Sequence, residues 1–319
     1  MNYIFNRASV TPRFSSTTAA QSDLSRLLTA LAAVDATEGE LPLLRIHDDP
    51  WAFQIAEQGG VFQSLGDVAT SLYEVDYELG EYFTALQRMT PSDADFDDET
   101  VNLILNIDVE SPADGHANCF PKAVIAKDDA VLCTVGSNIL VGFLRDGEWS
   151  LDHLAFHSGG QDFVVDHIAT IEHATAFIER SRNTARSHLT ARTFWENKAL
   201  AFPNLTFGTQ IEDNLKKFSG QMLKLLFLRL ADLDKRTSDW KTTGTFPDAM
   251  PPITGESGPT MAKYGDTRKF KDEAGDIEIF EEHIWVDSLH RIHLLKEPKT
   301  KTIKIGYIGR HLPTIKHRT

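Results

Sequence analysis

Cysteine is almost missing from this chain: Cys119 and Cys133 are the only two among 319 residues, too few for a disulfide framework. No apolar run approaches the roughly 18 residues that a membrane-spanning helix requires. The opening stretch MNYIFNRASVTPRFSS carries no continuous apolar block of the secretory kind. Chemical signatures are missing as well, since the sequence holds no GxxxxGK(S/T) loop, no GxGxxG after a strand, no GxSxG, no HExxH and no CxxC. Nucleotide hydrolysis, dinucleotide chemistry, common triad hydrolysis and structural zinc all lose weight. The expectation is a cytoplasmic chain with no membrane partner, no cofactor and no metal.

What is present is an ordinary globular composition, 41% hydrophobic and 24% charged, with an uneven distribution of charge. The formal net charge is −14, which by itself argues against long-range attraction to nucleic acid. The first 260 residues hold 20 Lys and Arg against 37 Asp and Glu, whereas the remainder hold 12 against 9. In the final stretch Arg291, Lys296, Lys299, Lys301, Lys304, Arg310, Lys316 and Arg318 face one acid, Glu297. An acidic body joined to a basic end raises the expectation of an anionic partner for that end.

Periodicity gives an α+β class, with an acidic mixed α/β N-terminal region and a small C-terminal antiparallel sheet packed on a long helix. The length suits two domains, read as 1–190 and 191–319. Leu24, Leu27, Leu28 and Leu31 recur at helical spacing within 20–36, with Ser22 or Asp23 as cap, and 82–89 also reads as helix. The run 90–100, TPSDADFDDET, reads as an acidic loop. Residues 123–156 read as strands, with Asp146-Gly147 as a hairpin turn because Asp-Gly readily supplies positive φ. A helix is expected over 166–180, and a longer one from Thr209 to about Trp240 on the stripe Ile211, Leu215, Phe218, Met222, Leu226, Leu230 and Leu233. Gly220 marks a kink or close contact in that helix. Residues 241–260, with four Pro and three Gly, read as a linker. The runs RKFKDE, IEIFEEHIWV, RIHLLKE and KTIKIGYIG then alternate as strands, with Ile303, Ile305 and Tyr307 expected on one face and Lys304 and Gly306 on the other.

Histidine is the remaining chemistry. His153 and His157 are four apart, but on a strand that spacing is about 13 Å, too far for a shared metal; on a helix they would share one with Asp152. His167 and His173 are expected on a helix surface. The denser set is C-terminal: Arg291, His293, Tyr307, Arg310 and His311, with Lys301, Lys304, Lys316 and Arg318 nearby. Arginine holds phosphate through paired hydrogen bonds, and His or Tyr can move a proton. Together they match the needs of metal-free RNA cleavage: a base, a cation for the phosphate and an acid for the leaving oxygen. Binding without catalysis is the competing reading of the same residues.

The pattern HRIHLLKEPKTKTIKIGYIGRHLP is an Arg-initiated strand, a charged turn and an apolar strand ending in Ile-Gly-Arg-His. It resembles the last two strands of the RelE/ParE superfamily of small bacterial toxins. That resemblance implies a twisted antiparallel sheet covered by helices and, in the RelE branch, cleavage of messenger RNA on the ribosome without a metal. ParE relatives use the same sheet against gyrase. Arg291 matches the basic residue opening the penultimate strand, and Arg310 the one after the terminal Ile-Gly. The functional expectation is therefore a bacterial toxin or phage-defence protein whose acidic body regulates a basic, RelE-like, RNA-engaging module, in its catalytic form a metal-independent endoribonuclease. Arg291 and Arg310 would hold phosphate, His293, Tyr307 or His311 would transfer protons, and Lys301, Lys304, Lys316 and Arg318 would bind nucleic acid. The alternatives are a non-catalytic subunit of a defence complex that binds a partner protein or nucleic acid through the basic sheet, and a scaffold whose two halves neutralise each other.

Overall fold

The Ser16 hydroxyl accepts a hydrogen bond from the Ala19 N–H and starts α1 (Thr17–Asp35). Its Leu24, Leu27, Leu28 and Leu31 are all buried, as their spacing requires. The protein is seen here as a computed structural model describing residues 2–36, 42–87, 129, 132–134, 138–158 and 161–315. The expected acidic loop at 90–100 lies outside them. The fold is α+β, in two units, Met1–Arg180 and Ser181–Thr319. The boundary between them falls within the helix that spans Ile171–His188.

In the first unit β1 (Tyr3–Phe5) lies between β2 (Leu44–Arg45) and β5 (Ile139–Val141), parallel to both. The sheet continues through β7 (Gln161–Ile168), parallel to β5, to an antiparallel edge strand β6 (His153–Ser158). One face buries Tyr3, Phe5 and Val141 with α1, and the other buries Ile4, Leu140, Leu154 and Trp149. Covering on both faces is what a parallel sheet requires. A hairpin of β3 (Gln54–Gln58) and β4 (Val61–Ser64) leads into α2 (Leu65–Val75), which opens with a Ser64/Asp67 capping box, and then α3 (Tyr77–Leu86).

Two expectations change here. Asp146-Gly147 does not turn a hairpin: Gly147–Ser150 is a 3-10 turn, and the hairpin is β6 with β7. The run ILV is claimed instead by β1 and β7 as a fully buried parallel strand, which needs remote partners. His167 and His173 are buried and not on the surface. His167 lies on β7 with Nδ1 donating to the Leu151 carbonyl, His173 Nε2 meets the Ser150 carbonyl, and burial draws His167 down to about 4. His153 does sit on a strand, with Nδ1 on Asp152 at 2.8 Å.

The helix α4 (Ile171–His188) carries the chain into the second unit, which continues through α5 (Phe194–Ala201), β8 (Leu205–Phe207), α6 (Ile211–Leu215) and α7 (Gly220–Thr243). The expected single helix is broken at 216–219, and Gly220 takes a positive φ of 57° as the second segment begins. Leu226, Leu230 and Leu233 of α7 pack on Ile284, Ile292, Leu294, Ile303, Ile305 and Ile308 of a five-stranded sheet. Each such burial contributes about 1.5–3 kcal/mol, so this contact holds the unit together. The sheet runs β8, β14 (Thr302–Arg310), β13 (His290–Glu297), β12 (Glu282–Trp285), β9 (Thr254–Gly255). It is antiparallel except at β8, which pairs parallel with β14.

The segment read as a linker is structured at its ends. Gly244, at φ 81°, closes α7; Thr254–Gly255 forms the edge strand; Ser257 caps α8 (Gly258–Tyr264) with Pro259 in its first turn. The run IEIFEEHIWV is divided between β11 (Ile277–Ile279), paired only with β10 (Lys269–Lys271), and β12. A register shift at His293/Leu294 leaves Gly306 as the extra residue of β14. That bulge turns Tyr307 away from Ile303 and Ile305, and Ile308 joins the buried apolar face in its place.

Candidate polar cluster on the C-terminal sheet

The face of the sheet opposite α7 gathers polar side chains. His283 of β12 stands directly across from His293 of β13, and Trp285 across from Arg291. Those pairs share one face because each lies two residues from the next along its strand. The imidazole centroids are 5.2 Å apart, and the Arg291 guanidinium carbon lies 3.7 Å from the centre of the Trp285 ring. Glu256, just past β9, completes the row, fixed by its backbone N–H on the Glu281 carbonyl.

Partners define each group. His293 is 1% exposed and its Nδ1 donates to the Phe280 carbonyl at 3.1 Å, which leaves Nε2 as the atom bearing a lone pair. Burial, reinforced by the neighbouring His283, pulls the His293 imidazole down to about 3, so it is neutral at physiological pH. His283 is lowered too, by burial, against the pull of the Glu256 carboxylate. The side chain of Arg268 is fully buried and donates Nη2 and Nε to Glu256 Oε1 at 2.7 and 3.2 Å, and Nη1 to the Pro313 carbonyl at 2.7 Å. Arg291 is 3% exposed; Nη1 donates to the Asp287 and His290 carbonyls, while Nε is buried with no hydrogen-bond partner.

Of the five residues singled out in the sequence, the structure brings together Arg291, His293 and His311, the last held by its backbone N–H on the Leu289 carbonyl. His311 is near enough to depress both other imidazoles. Tyr307 borders the group, its ring edge-on to His293 at 5.9 Å and stacked on Phe270 at 5.1 Å. Arg310 is exposed, and alternation places it on the opposite side from His311.

Two glycines are explained by these rings. A Cβ on Gly306 would lie 2.4 Å from the Phe280 ring, and one on Gly309 2.1 Å from the Tyr307 hydroxyl. The Gly-Tyr-Ile-Gly run is thus a bed for two aromatic side chains.

The expected nucleic-acid lysines fare differently. Lys304 is held by Asp272 at 3.0 Å and Glu278 at 2.7 Å, and these bonds, Glu278 first, raise its pKa. Lys301, at φ 49°, turns its Nζ to the Lys241 carbonyl at 3.5 Å. Lys316 and Arg318 lie outside the described residues. Beside the cluster is a groove of about 620 Å³ lined by Tyr307, Phe270, Lys269, Lys271, Gln210 and Asp213.

Sequence reasoning missed Glu256, Arg268 and His283. His283 was within reach, because counting equally back from the three-residue turn at 287–289 sets it opposite His293. Glu256 and Arg268 carry no such signal; only folding brings them here. Compared with family models, curated proteins and solved structures, the chain matches none.

Proposed function

We propose that the C-terminal unit is an RNA-engaging module of a cytoplasmic bacterial toxin or phage-defence protein, acting by binding. The supporting observation is one polar sheet face on which Arg268 and His283 meet Glu256, His293 faces His283 and Arg291 stacks on the exposed Trp285. Trp285 is 49% exposed with Arg291 stacked on its ring, which makes it a platform for an unpaired base. Lys271, in the groove beside the cluster, is an exposed cation able to meet phosphate.

Cleavage is less well served than binding. Metal-free RNA cleavage works best with acid and base groups titrating near the working pH. Burial takes His293 far below that range and pushes Tyr307 further above it. Two of the three proton-transfer candidates are therefore mismatched.

The test is fluorescence anisotropy of the full chain with labelled single-stranded RNA at several salt concentrations. Binding should weaken with salt, and Trp285→Ala should cost about 1–3 kcal/mol, the worth of one stacked base. Affinity indifferent to both salt and Trp285→Ala would overturn the proposal. The second reading, docking of a partner protein, draws on Lys296 and Lys304, which are occupied by Glu282, Asp272 and Glu278 instead of standing free for phosphate.

A further inference from the structure

Glu256, His283 and His293 each offer one metal-ligand atom, and these atoms all lie within 4.8 Å of one another. The donors come from neighbouring positions across three adjacent strands: Glu256 just past β9, His283 on β12 and His293 on β13. Backbone pairing therefore fixes their spacing before any ion arrives. We propose that this row is a binding site for a divalent transition metal of the zinc type, with two imidazoles and one carboxylate as ligands and a fourth position open. The inference is independent of RNA binding.

The hydrogen bonds around the three side chains are those an assembled metal site needs. A ligating imidazole must be neutral, with one nitrogen carrying its proton outward to an acceptor and the other presenting a lone pair. His293 meets this, since Nδ1 donates to the Phe280 carbonyl and Nε2 is left to coordinate. His283 meets it in the opposite sense: Nε2 lies 3.2 Å from Thr254 Oγ1, while Nδ1 is buried with no hydrogen-bond partner. That orphaned nitrogen is 3.9 Å from Glu256 Oε1. Ligating carboxylates are themselves oriented by outer hydrogen bonds, and Arg268 supplies them, placing both Nε and Nη2 on Oε1.

The size is right within a small adjustment. With metal–ligand bonds of about 2.0–2.2 Å, tetrahedral donors are separated by about 3.3–3.6 Å. From separations of at most 4.8 Å, the side chains have to close by no more than about 1.2–1.5 Å, within reach of rotations about their side-chain bonds. Two nitrogens and one oxygen with an open position is a ligand set that suits zinc. The alternative explanation, a self-sufficient polar network, leaves His283 Nδ1 buried and unpaired, a desolvation cost that coordination removes.

The experiment uses the full chain stripped with chelator and titrated with zinc alone, by calorimetry and by competition with a chromophoric chelator. One zinc per chain is expected. His283→Ala and His293→Ala should each weaken it at least about 100-fold, and Glu256→Gln about 10-fold, in line with the cost of losing ligands or their supports. His290→Ala, whose imidazole is held by Asp287, should leave affinity unchanged. Cobalt substitution should give the visible absorption of a four- or five-coordinate nitrogen/oxygen site, absent in His283→Gln. Circular dichroism checks that the variants fold, and if one alanine variant does not, His283→Gln and Glu256→Gln carry the comparison. Zinc affinity equal in wild type and these variants, or less than one zinc per chain, would overturn the site. RNA affinity measured on the stripped protein reads the RNA proposal separately.

Discussion

His283 and His293 face each other across neighbouring strands with their rings 5.2 Å apart, and burial keeps both neutral. The pairing puts a cost on acid. In the unfolded chain His293 takes a proton near pH 6.5, whereas in the folded one it does so only at about 3. Stability from this residue is therefore complete above about pH 6.5 and declines as pH falls toward 3, at about 1.4 kcal/mol per pH unit for one proton. Urea unfolding of metal-stripped protein between pH 7 and 5 should show a slope that drops by about one proton in His293→Gln. An unchanged slope would mean that His293 titrates normally in the fold. His167, held at about 4 by burial, should add a similar loss in the first unit.

Gly306 lies beneath the Phe280 ring, and a methyl group there would sit 2.4 Å from it. Gly306→Ala should destabilise the chain by about 1–3 kcal/mol, the usual cost of overpacking. Part of that loss should return in Gly306→Ala/Phe280→Ala when compared with Phe280→Ala alone. Simple additivity in that double-mutant cycle would show that the ring is not the obstacle.

Lys304 is paired with Asp272 and Glu278, so it has little charge to offer a phosphate. Lys304→Ala should change RNA affinity less than about twofold. Lys271→Ala should weaken it and reduce the salt slope by about 0.7, the value for one phosphate contact on a single strand. The reverse ranking in anisotropy titrations would move the binding surface to the Lys304 side of the hairpin formed by β10 and β11.

Leu230 of α7 is fully buried against the sheet. Leu230→Ala should cost about 2–5 kcal/mol, while Leu228→Ala, at a position 67% exposed, should stay within about 0.5 kcal/mol. Chemical denaturation of the two variants measures both.

Local order was readable where a pattern depended on neighbours in the chain. The Leu24–Leu31 stripe marks its helix, and strands were visible around Arg291 and Ile303, because a repeat of 3.6 or 2 is set within a few residues. The Asp146-Gly147 turn failed because a buried parallel strand is chosen by distant partners, and Asp-Gly supplies only local freedom. Tyr307 was assigned to the wrong face since one bulge reverses every side chain beyond it.

By itself the sequence determined an α+β chain with an acidic first part, a basic end, and Arg291, His293 and His311 close to one another. These features are properties of composition and short-range periodicity. Tertiary structure alone decided that Glu256 and Arg268 join them, and that Lys304 is spent on Asp272 and Glu278. The reason is that strand pairing and the covering hairpin set these distances, and residues remote along the chain acquire a common environment only when the sheet closes.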